Sequence, residues 1–429
     1  MKKRILAAML CGAVVMGAVS TTAMAAGTTL TLLASQDWVY DAEMELGEKF
    51  EEETGIHIDY QIIPGDQYYN VLMTKLNSGE GPDIFGGQSG RFDIVTQYNI
   101  EENGLPLTDQ PWVEYYDEFA ADETSVGDEV YGMIYFDTTT DFYMVYNKKL
   151  FEEVGIEAVP TTFDEYMADC QLLLDAGIVP FYECTADGWH HVMWFCEIGG
   201  RFAELDPDIV ENLNTNKVTF AETEMFKTCL EQIKQMADAG YFGDNYQSDE
   251  YAGMAVALGS GEYAMTMAKP GTIQEIADAS DGEYTADDFG MFYIPTLDCQ
   301  VLNVHPVGPT RFIYSGTEHA EEAKQYLAYI AKPESLQYMI DNEPKVENYP
   351  FSAGQTPAYS QATRDFVDGS EKRGTVFQDA IKYLNPQWFD FGQDIIAYLN
   401  GDMEVEQVLE NIDARRTDQA LAVGDENWA

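Results

Sequence analysis

Short apolar strands alternate with helices along this chain, and that alternation restricts the possible folds more than any other feature. Residues 30–33 (LTLL) are an apolar run, residues 39–50 repeat apolar side chains at helical spacing, and residues 56–62 alternate apolar with polar. A second helical pattern ends at Gly79, and a third strand begins at Ile84. Strands that alternate with helices form a parallel sheet with right-handed crossovers. We therefore predict a β-α-β-α-β unit.

The same alternation begins again within residues 131–180. A polar stretch, residues 137–140 (DTTT), is followed by a predicted strand at 142–146 and a helix at 147–153. Residues 162–165 (TFDE) then have the pattern of a capping box, which predicts another helix start. We predict that the chain leaves one α/β unit here and enters a second, and that the functional site lies between the two units.

Length and charge narrow the class of protein. A chain of 429 residues is too long for one compact core, so we expect two domains. Its net charge of -52 argues against binding to nucleic acid or to anionic lipid headgroups, and predicts a soluble monomer kept apart by self-repulsion. The acids do not follow the spacing of a calcium-binding loop, so we expect no bulk calcium binding.

The N-terminus has the pattern of a secretory signal peptide. Lys2, Lys3 and Arg4 precede the apolar residues 5–19, and residues 23–25 (AMA) form a cleavage site. We predict that residues 1–25 are removed and that the mature protein is exported and soluble. The bulky Leu10 before Cys11 is a poor match to a lipid-attachment motif, so we expect no lipid anchor.

The mature chain keeps five cysteines, an odd number that cannot pair completely within one chain. They are Cys170, Cys184, Cys196, Cys229 and Cys299. One or two disulfides are compatible with export, with Cys184–Cys196 as the preferred pair. The alternative is that all five are small buried apolar residues.

Motifs for catalysis, nucleotides and metals are largely missing from the sequence. It has no phosphate-binding glycine loop and no dinucleotide fingerprint. Ser89 lies in a GQSGR segment that lacks the last glycine of a nucleophile elbow, and therefore fits a pocket hydroxyl or a turn residue better. Adjacent His190 and His191 point in different directions on a helix and cannot easily share a metal. We expect no metal, no cofactor and no enzymatic activity, although no spacing excludes a carboxylate pair for glycoside hydrolysis.

The sequence instead places aromatic and polar side chains at strand ends, where ligands of open α/β sheets bind. One such loop is residues 35–38 (SQDW) and another is residues 86–90 (GGQSG). Aromatic faces stack on the C–H faces of sugar rings, while carboxylates and amides bond the hydroxyls.

Eight segments, in this order and spacing, resemble the extracellular solute-binding proteins (family 1) of sugar ABC importers, which include the maltose- and raffinose-type binding proteins. The segments are residues 50–56 (FEEETGI), 79–84 (GEGPDI), 130–133 (VYGM), 145–151 (VYNKKLF), 160–166 (PTTFDEY), 264–265 (AM), 321–324 (EEAK) and 398–402 (YLNGD). The resemblance implies a periplasmic-binding-protein-like α/β fold. Its two lobes are each a mostly parallel sheet flanked by helices, joined by three crossings that act as a hinge. The implied boundaries are 26–137 with 295–335 for the N-terminal lobe, and 138–294 with 336–429 for the C-terminal lobe.

The resemblance also implies ligand-binding residues at matching positions. They are Gln36, Asp37, Trp38, Gln88, Ser89, Asp137, Trp189, His190, Trp388 and Asp390. One departure is Lys269, within residues 269–271 (KPG), where relatives often have a Gly-x-Trp platform. Lys269 is a further candidate contact, and its charge leaves acidic sugars such as uronic acids open as ligands.

The implied function is an extracellular receptor that binds a sugar or oligosaccharide by hinge closure and delivers it to ABC importer permease subunits. Two alternatives stay open from the sequence, a binding protein for a non-sugar solute and a carbohydrate-active enzyme.

Overall fold

The computed structural model describes residues 27–136, 140–343, 346–352 and 354–428. The predicted signal peptide and Asp137 lie outside these residues. The strands are β1 Thr29–Ser35, β2 His57–Ile63, β3 Ile84–Gln88, β4 Ser125–Val126, β5 Glu129–Val130, β6 Gly132–Ile134, β7 Tyr143–Asn147, β8 Val179–Phe181, β9 Tyr263–Ala268, β10 Phe289–Phe292, β11 Leu302–Val304, β12 Pro309–Ile313 and β13 Arg373–Thr375.

The α-helices occupy much of the rest of the described chain. They are α1 Asp41–Thr54, α2 Gly65–Ser78, α3 Asp93–Thr96, α4 Ile100–Asn103, α5 Glu118–Glu123, α6 Lys148–Glu153, α7 Phe163–Asp175, α8 Met193–Cys196, α9 Gly199–Leu205, α10 Ile209–Asn214, α11 Glu224–Asp238, α12 Met254–Gly259, α13 Thr272–Asp278, α14 Ala320–Ile330, α15 Pro333–Asn342, α16 Gln361–Asp368, α17 Phe377–Ala380, α18 Trp388–Leu399 and α19 Val405–Val423. The predicted capping box of α7 is confirmed, because the Thr162 hydroxyl accepts from the Glu165 N–H and the Glu165 carboxylate accepts from the Thr162 N–H.

The first sheet has the strand order β2-β1-β3-β12-β6. Strand β1 pairs in parallel with both β2 and β3, which confirms the predicted β-α-β-α-β unit. Helices α1 and α2 provide its crossovers, and α1 ends at Gly55, whose φ of 76° suits a residue without a Cβ. Strand β12 returns from much later in the chain and runs antiparallel to β3 and β6.

The second sheet has the order β10-β7-β9-β8 and departs from the expected mostly parallel arrangement. Only β8 and β9 pair in parallel, whereas β7 is antiparallel to both β9 and β10. Strands β7 and β10 cause the departure, because β10 joins β7 from much later in the chain and β9 lies between β7 and β8, which follow each other in sequence. Strand–helix alternation therefore does not determine the neighbours or the direction of these strands.

The two sheets belong to different lobes with separate apolar cores. Leu32, Ile84 and Ile313 are buried in the core of the first lobe, and Met144 and Met265 in that of the second. No helix among the described residues is both long enough and apolar enough to cross a membrane.

The chain passes from one apolar core to the other later than at the predicted boundaries, residues 295 and 336. Cys299 and Val301, beyond the first of these boundaries, are still buried in the core of the second lobe. Met339 and Tyr349, beyond the other, are still buried in the core of the first lobe.

Candidate functional site

A cavity of about 490 Å³ opens on the second lobe. Four aromatic rings form part of its wall, those of Phe142, Trp189, Trp388 and Phe389. Phe142 directly precedes β7, and its ring meets that of Trp189 edge to face at 5.9 Å between centroids. Trp388 and Phe389 begin α18, after a 3-10 turn that contains Pro386. Apolar faces are therefore presented to the cavity from two distant parts of the chain.

The floor of the cavity combines carboxyl groups with cations. His305 follows β11, and its Nδ1 lies 3.0 Å from Asp379 Oδ2 and 3.9 Å from Asp141 Oδ2. Lys269 follows β9, and its Nζ lies 3.8 Å from Asp141 Oδ1. Glu197, at the end of α8, completes this group and is almost fully buried.

Burial and mutual charge change the protonation of these groups. Burial raises the pKa of Glu197 well above its usual range, and the charge of Asp141 adds to that effect. Burial lowers the pKa of His305, but the carboxylates of Asp379 and Asp141 outweigh it and raise this pKa to about 9. At neutral pH His305 is therefore cationic, and Glu197 holds a proton more readily than an exposed glutamate does.

Several buried oxygen atoms of the floor accept no hydrogen bond from the described part of the chain. They are Glu197 Oε2, Gln378 Oε1 and both side-chain oxygens of Asp379. The 3.0 Å contact from His305 to Asp379 is an ion pair that lacks hydrogen-bond geometry. Because an unsatisfied buried acceptor costs about 1–3 kcal/mol, a solute that donates hydrogen bonds here gains affinity.

The predicted first-lobe residues Gln36 and Trp38 lie on a 3-10 turn directly after β1. Gln36 is exposed, and the Trp38 ring packs edge to face on Tyr68 at 5.2 Å. The Trp38 carbonyl accepts a hydrogen bond of 2.5 Å from Arg311 Nη2, which ties the turn to β12. The side chain of Asp37 lies outside the described structure.

The chain matches a family model described as bacterial extracellular solute-binding protein over residues 36–337. The chain belongs to this family. It is 21% identical to the melibiose/raffinose/stachyose-binding protein MelE of Bacillus subtilis (strain 168), with 95% of this chain and 94% of MelE covered. It is 25% identical to the diacetylchitobiose binding protein DasA of Streptomyces coelicolor, over 47% of each chain.

Solved structures show the same fold. The sugar-binding protein MalE from the phytopathogen Xanthomonas citri superposes with a TM-score of 0.72 at 16% identity, covering 93% of this chain and 100% of that one. The two-lobe architecture expected from the sequence is thus confirmed for this solute-binding protein.

Three of the predicted ligand-binding residues of this solute-binding protein come together at the cavity. Trp189, Lys269 and Trp388 all line it, although they are far apart in the sequence. Asp390 lies two residues after Trp388, but it is exposed in the first turn of α18 and does not line the cavity. The cavity therefore brings together two aromatic residues and one cation of the predicted set, and their contact with a ligand stays a prediction.

His190 lies behind the cavity wall and does not line it. It is fully buried, with Nδ1 2.5 Å from Glu183 Oε1 and Nε2 3.0 Å from the Met267 carbonyl. Burial lowers the pKa of His190, but the Glu183 carboxylate outweighs it and raises this pKa well above the usual value. Its ring is 5.4 Å from that of Trp189, so His190 supports the wall from within.

Gln88 and Ser89 also lie away from the cavity. Gln88 ends β3, and its backbone N–H donates to the Tyr98 hydroxyl at 3.0 Å. The Ser89 hydroxyl is fully buried, donates to the Gly308 carbonyl at 3.3 Å and accepts from the Gly308 N–H at 2.9 Å. Ser89 therefore joins the end of β3 to the segment that leads into β12.

The preferred disulfide Cys184–Cys196 is wrong, because all five described cysteines are unpaired and buried. Cys184 belongs to the apolar cluster that contains Ile276, and Cys196 to the one that contains Phe226. Cys184 also lies near His190 and Glu183 in a group of potential metal ligands. The second Glu183 oxygen already accepts from Trp194 Nε1 at 2.7 Å, so this group is an internal hydrogen-bond network.

The residues of the floor were missed by sequence reasoning, apart from Lys269. Asp141 adjoins the polar stretch that marks the first crossing, so its position carried a usable signal. Glu197 and Asp379 carried none, because they are two among 75 acids and meet only in the folded chain. His305 follows β11, a strand that the sequence analysis did not predict.

Proposed function

We propose that this solute-binding protein is an extracellular receptor that binds a sugar or oligosaccharide between its lobes. The observation that carries the proposal is the cavity in which aromatic faces adjoin buried, unsatisfied hydrogen-bond acceptors. Sugar rings present C–H faces to aromatic rings and hydroxyl donors to oxygen acceptors, so both surfaces have a partner. The sugars named for MelE and DasA support the same class of solute.

We propose a hinge at the places where the chain passes between lobes, around residues 135–142, 305–308 and 352–372. A solute that contacts both lobes favours the closed state by its difference in affinity for the two states. The closed protein then docks on the permease subunits of an ABC importer. It acts as a monomer, is exported after cleavage of residues 1–25 and carries no lipid anchor. It catalyses no reaction.

Isothermal titration calorimetry of the mature protein against mono- and oligosaccharides tests this proposal. Raffinose, stachyose, diacetylchitobiose, maltotriose and xylotriose make up the first panel, and amino acids and short peptides the second. We expect saturable binding in the first panel only. Binding confined to the second panel would contradict a sugar receptor, and chromatographic detection of shortened oligosaccharides after long incubation would indicate an enzyme.

A further inference from the structure

Carboxyl groups outnumber cations in the floor of the cavity and in the buried layer behind it. Asp141, Glu197 and Asp379 adjoin only Lys269 and His305 as cations. A fourth carboxyl comes from the end of α5 in the first lobe. This is Glu123, whose pKa is raised to about 8 by burial and, next, by the charge of Asp379.

Arg91 is the remaining cation beside this group, and it does not remove the excess. Its backbone N–H donates to Glu123 Oε2 at 2.9 Å, but its guanidinium forms its short contact with the exposed Asp122, at 2.8 Å. The guanidinium Nε is 3.9 Å from Glu123 Oε1. The site therefore holds more carboxyl groups than cations, and each excess carboxyl group is either ionised or protonated.

The unsatisfied oxygen atoms at this site are acceptors, whereas the unsatisfied His305 Nδ1 is a donor. Glu197 is only 2% exposed, and its free oxygen belongs to a side chain that lines the cavity, as does the free oxygen of Gln378. A hydroxyl group donates one hydrogen bond, whereas an ammonium group donates three and carries a compensating charge. An ammonium group is therefore the better match to several converging acceptors of which most are carboxyl oxygens.

Lys269 shows how this cavity accommodates an ammonium group. Its Nζ lies 3.8 Å from Asp141 and 5.7 Å from the centroid of the Phe142 ring. A carboxylate and an aromatic face together stabilise a cation, because the ring carries negative charge on its face. Glu197 and the Trp388 ring line the same cavity, and the buried Asp379 lies next to them through its contact with His305.

We infer that the solute is a saccharide with a free amino group, and that its ammonium group binds beside Glu197, next to the buried Asp379 carboxyl group. Glu123 of the first lobe, which is buried within reach of the Asp379 charge, adds to the same acidic surroundings. This inference rests on the proposed sugar-receptor function and narrows it. It also argues against uronic acids, because Lys269 already pairs with Asp141 and a further carboxylate would meet the negative groups of the floor.

Proton release distinguishes an amino sugar from a neutral one. In the empty site, burial and neighbouring charge raise the pKa of Glu123 to about 8, so it holds a proton at pH 6, and they raise the pKa of Glu197 in the same direction. An arriving ammonium group stabilises the ionised carboxylate and displaces such a proton. Binding of a neutral sugar leaves the protons in place.

The test is calorimetry at pH 6 with matched pairs of sugars, in two buffers of different ionisation enthalpy. The pairs are glucosamine with glucose, galactosamine with galactose, mannosamine with mannose, and chitobiose with cellobiose, and digalacturonic acid is the anionic probe. In at least one pair we expect the amino sugar to bind about tenfold or more tightly than its neutral partner, with release of a proton. Digalacturonic acid is expected not to bind.

The possible failures are distinguishable. If no amino sugar in any pair binds more tightly than its partner while raffinose or another neutral sugar binds, the inference is wrong and the receptor function stands. If no saccharide of either kind binds, both are wrong. Tighter binding without proton release would contradict the assignment to Glu197 and Asp379.

Two isosteric variants locate the ammonium group. Asp379→Asn and Glu197→Gln should each weaken amino-sugar binding about tenfold or more and reduce proton release, with a smaller effect on the neutral partner. Asp244→Asn, an exposed acid beyond α11, is the matched control and should change neither. Circular dichroism establishes folding of each variant, and unchanged amino-sugar affinity in both folded floor variants would overturn the assignment.

Discussion

The two lobes differ in where their unsatisfied buried polar groups lie. In the first lobe, buried Arg311 pairs with buried Glu43 at 2.9 Å, and Ser89 exchanges hydrogen bonds with Gly308. In the second lobe, Glu197 and Asp379 keep oxygen atoms that no group in the described chain satisfies. Arg311 Nε and Nη1 also lack a hydrogen-bond partner among the described residues, but they belong to the buried core of the first lobe, whereas Glu197 lines the cavity. A solute can therefore supply hydrogen bonds to the second lobe that it cannot supply to the core of the first.

The buried ion pair of the first lobe also holds the turn after β1, which carries Gln36 and Trp38. Arg311 lies on β12 and donates to both the Glu43 carboxylate and the Trp38 carbonyl. The turn that carries Gln36 and Trp38 is therefore held by a buried ion pair before any solute binds. The buried ion pair of the first lobe and the unsatisfied oxygen atoms at the cavity of the second predict separate effects on stability and on affinity.

The largest expected effect is on the stability of the first lobe. Arg311→Met leaves Glu43 buried without its counter-ion, and we expect the free energy of unfolding to fall by about 3–5 kcal/mol. Urea denaturation followed by circular dichroism measures it. The matched control is Arg373→Met, which removes the partially exposed pair with Asp117 and should cost less than about 1 kcal/mol. Equal losses in the two variants would contradict the paired-core description of the first lobe.

The next effect is a drop in affinity without loss of folding. Trp388→Ala removes an aromatic face from the cavity wall, and we expect sugar affinity to fall about 10- to 100-fold. Trp38→Ala in the first lobe should weaken binding less, because Trp38 does not line the cavity. Calorimetry measures both variants, and Tyr115→Ala, an exposed ring away from the cavity, is the control. A larger loss for Trp38→Ala would reverse the comparison of the lobes.

A third effect concerns pH, because Glu123 of the first lobe meets the charged floor of the second. Its pKa rises from about 4.3 in an unfolded chain to about 8 in the folded protein, through burial and then Asp379. The folded state thus binds the extra proton, and the free energy of unfolding must fall as pH rises through this interval. His305, raised to about 9, acts in the same direction at higher pH.

We expect a loss on the order of 2–4 kcal/mol between pH 5 and pH 8.5, since one pKa unit corresponds to about 1.4 kcal/mol. Glu123→Gln should remove much of this slope, whereas Asp122→Asn, its exposed neighbour, should leave it unchanged. Thermal denaturation over this pH range measures it. Identical slopes in wild type and Glu123→Gln would show that Glu123 does not hold the proton.

Local signals explain why much of the fold was predictable. Apolar periodicity, the capping box at Thr162 and the glycines that end helices are encoded within a few residues, so strands and helices of the first lobe followed from the sequence. Strand direction in the second sheet did not, because β9 and β10 come from much later in the chain and pair with β7 on its two sides, with β9 separating it from β8. The predicted lobe boundaries lie earlier than the observed changes of core for a similar reason. Contacts between residues far apart in the sequence decide which apolar core a residue joins.

The site was predictable only in part. The aromatic wall was found through Trp189 and Trp388, whose residue type already indicates sugar stacking. His190 and Ser89 were expected in the cleft, but their partners Glu183 and Gly308 turn them into the protein. Glu197 combines with Asp141 and Asp379 from three distant segments, and no spacing in the sequence records such a meeting.

The smallest expected effect belongs to Gln36, the exposed residue of the first-lobe turn. Its side chain makes no hydrogen bond that the described residues show, and it does not line the cavity, so Gln36→Ala should leave stability within about 0.5 kcal/mol. We expect sugar affinity to fall by about threefold at most, as for one solvent-exposed hydrogen bond formed on lobe closure. Calorimetry with the sugar used for Trp388→Ala provides the direct comparison. A loss above about tenfold would show that the closed first lobe contributes as much to recognition as the second, and that unsatisfied oxygen atoms at the cavity do not predict where affinity resides.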